Sequence, residues 1–191
     1  MKTINQIAAY TSLIFSPVLV LPVTFLIRCY QILPIAQFMM TGLVTLGTVG
    51  IIIGFYMYLR HTKKISDLHI TKRQERTPLN LFVLFCLSIG FVVARWYALP
   101  ELVSLLTYLI IWFAAFTGIT LVWKISAHTA VVTLAALLLS TQITTLFIFS
   151  CLILLVAWSR VKLKNHTIPQ VIGGVVLSLA IFVLAVIFKL I

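Results

Sequence analysis

The chain has 191 residues, of which 62% are hydrophobic and only 9% charged, and its mean hydropathy is +1.20. Soluble domains carry about 25% charged residues, so there is too little polar surface here to cover a water-soluble fold. The composition predicts an all-α integral membrane protein, a single transmembrane domain over residues 1–191. The net charge of +11 is scattered among short loops, which is no nucleic-acid footprint and suits a surface rich in anionic lipid.

Spans of about 20 apolar residues are the unit to look for. The first runs from Ile7 to Ile27, interrupted by Pro17 and Pro22. One lysine precedes it and no small-residue cleavage site follows, so no cleavable leader is expected. The second covers Ile35 to Leu59 and is rich in Gly and Thr, a composition that suits close helix packing. A long polar loop follows, from Arg60 to Asn80. The third span is Leu81 to Tyr97, and the fourth is Leu102 to Trp123. Residues 129–158 are too many for one comfortable span, and the polar, β-branched centre Ser140–Thr145 reads as a turn. Two short helices are therefore predicted, His128–Leu139 and Thr144–Trp158. The last span is Ile168 to Phe188. The expected architecture is a bundle of about six to seven transmembrane helices.

On this count eleven of the fourteen Lys and Arg fall on one side, leaving Arg28, Arg95 and Lys189 on the other. The positive-inside rule makes the crowded side cytoplasmic, and the expected location is the plasma (inner) membrane. Asp67, Glu75 and Glu101 are the only acids. A hard cation needs several oxygen ligands, so neither a metal site nor a cofactor is expected, and no acid lies inside an apolar run to relay protons. Cys29, Cys86 and Cys151 show no metal or redox spacing and read as small core residues. Trp96, Trp112, Trp123 and Trp158 read mostly as interfacial belt residues.

The polar stretch Ser159–Gln170 stands out because it crowds cations and a histidine against the last span. Pro169 fits the first turn of that helix, Asn165 or Thr167 can cap it, and His166 lies beside the positive end of its dipole, where anions bind. Arg160 carries the planar fork that matches a phosphate face. Two further clusters fall on the same side: His69–Pro78, and Trp123-Lys124-Ile125-Ser126-Ala127-His128.

These residues resemble the type-2 phosphatidic acid phosphatase superfamily of membrane lipid phosphatases and vanadium haloperoxidases. Its signatures are a Lys followed by Arg-Pro, then Pro-Ser-Gly-His, then Ser-Arg and a His with an Asp one turn beyond. Ser159-Arg160 and His166 hold the third spacing, with Gln170 in the place of the Asp. Ser126 and His128 match the second, with Ile125 and Ala127 replacing Pro and Gly. The first is degenerate: Arg76 precedes Thr77-Pro78 and His69 takes the place of the lysine. The likeness covers residues 67–174.

The resemblance implies a lipid-phosphatase-like fold and specific roles. His166 would take the phosphoryl group, and His128 would protonate the leaving oxygen. Arg160, Arg76, Lys72 or Arg73, Lys124 and the Ser126 hydroxyl would cradle the phosphate. The family's Asp orients and charges the nucleophilic His; Gln170 can accept the imidazole N–H but brings no charge. The implied activity is metal-independent hydrolysis of a phosphate or diphosphate on a membrane lipid, phosphatidate-like or polyprenyl. The rival reading is a catalytically impaired relative that binds anionic headgroups or a membrane partner.

Overall fold

An apolar run surrounded by lipid can satisfy its backbone only by closing hydrogen bonds within itself, which makes it a helix. The computed structural model describes residues 2–67, 70 and 72–191. It places the runs in α1 (Lys2–Ile14), α2 (Pro17–Ile32), α3 (Ile35–His61), α4 (Thr77–Trp96), α5 (Pro100–Val122), α6 (Ala127–Leu139), α7 (Ile143–Lys162) and α8 (Ile168–Ile187), with a 3₁₀ turn at Arg73–Arg76. No strand occurs among the described residues. The chain is an all-α integral membrane protein: five of these helices are long and apolar enough to cross a bilayer, and α1 with α2 makes a sixth candidate.

That first span is two helices bent by 44° at a break. Pro17 has no N–H to continue α1, so a new helix opens with the Ser16 carbonyl accepting from Leu19 and Val20. Of the two short helices expected between 129 and 158, only α6 is short. Its 13 residues rise about 20 Å, less than the ~30 Å hydrocarbon core. The second, α7, has 20 residues and continues through Trp158 to Lys162, because Arg160 and Lys162 in its last turn complement the negative end of the dipole.

The helices sort into two compact units, one of Met1–Arg28 with Ile125–Leu184 and one of Cys29–Lys124 with Ala185–Ile191. In the second unit α4 packs on α3 and α5. Phe55 stacks on Phe82 with ring centroids 4.2 Å apart. Gly47, Gly50 and Gly54 of α3 face open space rather than a neighbouring helix, so the ring stack, not the glycines, makes the α3–α4 contact. Trp112 is buried against Phe116 instead of lying at an interface, since it sits mid-way along α5. Cys151 is exposed, unlike buried Cys29.

The first unit is built around α6, whose residues are buried almost all round. α1 and α6 pack on α7. α8 approaches α6 so closely that a Cβ at Gly174 would lie 2.6 Å from the Ser126 carbonyl oxygen and 2.6 Å from Thr129 Oγ1. Two hydroxyls stitch the same seam: Thr129 donates to the Val171 carbonyl at 3.0 Å and Ser178 to the Ala130 carbonyl at 2.8 Å. Gly174→Ala should therefore force the helices apart and cost about 1–3 kcal/mol. Gly47→Ala, which meets nothing, should be neutral or stabilising by up to about 1 kcal/mol. Thermal melts of the two variants in detergent check the contrast.

Candidate functional site

The site is assembled where α7 ends and α6 and α8 begin. α7 terminates in a Schellman turn: Lys164 takes the left-handed conformation at φ 57°, its N–H bonds the Val161 carbonyl at 2.9 Å, and the Asn165 N–H bonds the Arg160 carbonyl at 3.1 Å. The His166 N–H reaches the same Arg160 carbonyl at 3.3 Å. Backbone hydrogen bonds alone thus set His166 beside Arg160.

Thr167, not Asn165, is the residue before the first turn of α8, and its carbonyl accepts from Val171 at 3.2 Å. Gln170 sits three residues on, and its Oε1 accepts the Thr167 N–H at 3.2 Å, which is the returning half of a capping box. The same oxygen lies 3.1 Å from His166 Nδ1. Because the backbone donor fixes which end of the amide is oxygen, Nδ1 must carry the hydrogen. In the neutral ring the lone pair is then on Nε2.

α6 begins at Ser126, whose side chain accepts from the Thr129 N–H as an ordinary N-cap. The Ser126 N–H bonds the Gln170 carbonyl at 2.9 Å. Gln170 therefore ties the first turns of α6 and α8 together with its backbone while its side chain holds His166. His128, one residue into α6, points its Nε2 at the Ser12 carbonyl of α1, 3.2 Å away, and lies 3.5 Å from the Ser12 hydroxyl. A carbonyl only accepts, so His128 Nε2 carries its hydrogen. Arg160 is 1% exposed and donates through Nη1 to the same Ser12 hydroxyl.

Ser126, His128, Arg160, His166 and Gln170 thus belong to one unit, all but Gln170 buried. Ser12 is the member that the sequence reading missed; its only signal was a small hydroxyl in an apolar helix. Thr129 and Gly174 were missed as well, since their work depends on a neighbour forty or more positions away. No acid belongs to this unit: Asp67, Glu75 and Glu101 all lie in the other.

The other expected phosphate ligands, Arg76, Lys72, Arg73 and Lys124, fall in the second unit. There Lys72 pairs with Glu75 at 3.3 Å, and the Glu75 carboxylate accepts from the Ser66 N–H at 2.7 Å and its hydroxyl at 2.9 Å. Arg76 is buried and its Nε donates to the Ile70 carbonyl at 2.9 Å. These contacts staple the 60–80 loop upon itself. Arg73 and Lys124 are half-buried. His69 lies outside the described residues.

Gln170→Ala should remove both acceptor roles, costing about 1 kcal/mol of stability and releasing the His166 ring. ¹⁵N spectra of histidine-labelled protein should then change from a single fixed tautomer to an averaged one, whereas Gln170→Glu should keep the ring held.

Comparison with known proteins finds no matching family model, no matching curated protein and no matching solved structure.

Proposed function

We propose that the chain is a divergent lipid phosphatase of the type-2 phosphatidic acid phosphatase kind, which releases phosphate from a membrane lipid without a metal ion. The observation that carries this is the presence of a buried guanidinium and two buried imidazoles in one unit that contributes no carboxylate of its own. Cationic and ionisable side chains at membrane helices are expensive to keep and mark function. An anion is their natural counterpart, and the N-terminal ends of α6 and α8 favour the same charge.

The geometry suits the chemistry. With its Nδ1 hydrogen on Gln170, His166 presents a lone pair at Nε2, which attacks phosphorus as the bond to the lipid oxygen breaks. The Nε2–H of a protonated His128 passes to that leaving oxygen. Water then displaces the histidine and yields inorganic phosphate, with His128 as the base that receives its proton. Arg160 neutralises charge on the equatorial oxygens, and such positioning and neutralisation make up most of phosphoryl-transfer catalysis. In the family Asp stabilises the cationic histidine; the amide of Gln170 keeps orientation and gives up that charge.

A second reading has a specific observation in its favour. The Ser12 hydroxyl and carbonyl already satisfy Arg160 and His128, as a purely structural polar core would. Under that reading the protein is a non-catalytic relative that holds anionic headgroups.

Phosphate release from lipid phosphates in EDTA separates the two. His166→Ala should abolish release. Gln170→Glu, which keeps the length that spans Thr167 and His166, should raise it by about 10- to 1,000-fold, each ~1.4 kcal/mol of transition-state stabilisation being tenfold. Ser12→Ala should leave release intact or raise it, because on this reading a phosphate oxygen takes the place of the Ser12 hydroxyl on Arg160. Inert Gln170→Glu protein and a Ser12→Ala variant that merely unfolds would favour the structural core instead.

We further propose that the Ser159–Gln170 stretch faces the cytoplasm at the plasma (inner) membrane, a reading that the distribution of Lys and Arg along the sequence supports. A cysteine introduced at Asn165 should then react with an impermeant thiol reagent only after intact cells are permeabilised.

A further inference from the structure

Ser12 of α1 meets the site with two acceptors. Its hydroxyl accepts from Arg160 Nη1, and its carbonyl lies 3.2 Å from His128 Nε2. Two oxygens of an anion would make the same pair of contacts, one with a guanidinium and one with a ring N–H. The carbonyl is available because α1 stops there. In an unbroken helix it would accept from the Ser16 N–H. Pro17 brings no N–H to the Leu13 carbonyl, and the Ser16 N–H turns to Leu13 instead, at 3.2 Å. The same break bends the span by 44°, so the contact and the joint have one cause. Little interlocks α1 with its neighbours. Its buried face is made of the small residues Ala8, Thr11 and Ser12, which cover little apolar surface, while Tyr10, Leu13 and Ile14 are exposed. An open apolar groove of about 250 Å³ runs beside the joint, lined in part by Ile14, Phe15, Leu19 and Val20, so the chain at the bend is not packed solid.

We propose that α1 is an autoinhibitory lid, which holds Ser12 on Arg160 and His128 and pivots about Ser16–Pro17 when a phosphate group takes its place. It rests on the lipid-phosphate reading above and adds the gating step. A phosphate dianion brings opposite charge to Arg160 and to a protonated His128, which a neutral hydroxyl and carbonyl do not. The anion therefore displaces Ser12, and a neutral lipid leaves the lid shut. The joint sets the size of the motion. Ser12 stands four residues from Ser16 and Ile4 twelve, about 6 Å and 18 Å along the helix axis. A retreat of about 3 Å at Ser12, one hydrogen-bond length, is then a swing of about 9 Å at Ile4. Until the anion arrives the lid lowers apparent affinity by the fraction of molecules that are shut.

The test uses the full chain in nanodiscs of neutral lipid. Spin labels are placed on exposed Cys151 of α7 and on Ile4→Cys of α1, with Cys86→Ala to keep the second unit unlabelled. Inorganic phosphate should shift the distance between the labels by about 5–9 Å, and chloride at equal ionic strength should not. In a separate protein Thr11→Cys, buried while the lid is shut, should react with N-ethylmaleimide about tenfold faster in phosphate, as peptide mass spectrometry at position 11 reads. Ser12→Ala, which takes one acceptor from the lid, should open it in part without phosphate and lower the phosphate concentration needed by about threefold or more. Label distance and position-11 reactivity that are both indifferent to phosphate would overturn the proposal. So would a folded Ser12→Ala variant that needs as much phosphate as the native chain. Release of phosphate from dioleoyl phosphatidate by a chain whose α1 stays still would remove the lid and keep the hydrolase reading. A lid that moves with phosphate, in a chain that releases none from any lipid phosphate, would keep the lid and remove the hydrolase reading.

Discussion

The first unit depends on the close approach of α8 to α6 at Gly174. With a hydrogen in place of Cβ, the helix lets the Ser126 carbonyl and the Thr129 hydroxyl lie where a side chain would have been. Without that approach the Ser126 N–H could not reach the Gln170 carbonyl, nor Thr129 the Val171 carbonyl. Helices in lipid gain little from hydrophobic contact with one another, so backbone proximity and interhelical hydrogen bonds decide their pairing. Here they also decide the site, because His128 rides on the first turn of α6 and His166 on the approach to α8.

Arg160 supplies the opposite constraint, an electrostatic one. A guanidinium 1% exposed must find polar partners, and within its unit the structure gives it the Ser12 hydroxyl. That contact brings α1 to α7 and places a hydroxyl between Arg160 and His128. The break before Pro17 lets the axis of α1 depart by 44° from that of α2.

Gln170 illustrates how one side chain can satisfy two demands. As the third residue of α8 it returns a hydrogen bond to the Thr167 N–H, a role that glutamine fills well at such positions. With the same oxygen it orients His166. A carboxylate would serve both contacts and add charge beside the imidazole; an amide serves both at neutral charge. The chain has only three acids in 191 residues, and neutrality at this position continues that composition into the site.

The sequence by itself determined the all-α membrane class, because apolar runs of span length have no other way to satisfy their backbones in lipid. It also determined that 129–158 would break near Ser140–Thr145 and that Gln170 would stand one turn beyond His166, since both are local matters of polarity and helical period. Helix ends were legible within a few residues where Pro78, Pro100 and Pro169 punctuate them. It did not determine that the first span would bend, that α7 would run to Lys162, or that the glycines of α3 would face open space. Composition alone cannot say which face of an all-apolar helix meets a neighbour. Only the tertiary structure decided the company of the site residues. It joined Ser126, His128, Arg160, His166 and Gln170 in one unit, placed Arg76, Lys72, Arg73 and Lys124 in the other, and brought in Ser12 from more than a hundred positions away. Such pairings rest on Gly174 and on interhelical hydrogen bonds, and no periodicity along the chain encodes them.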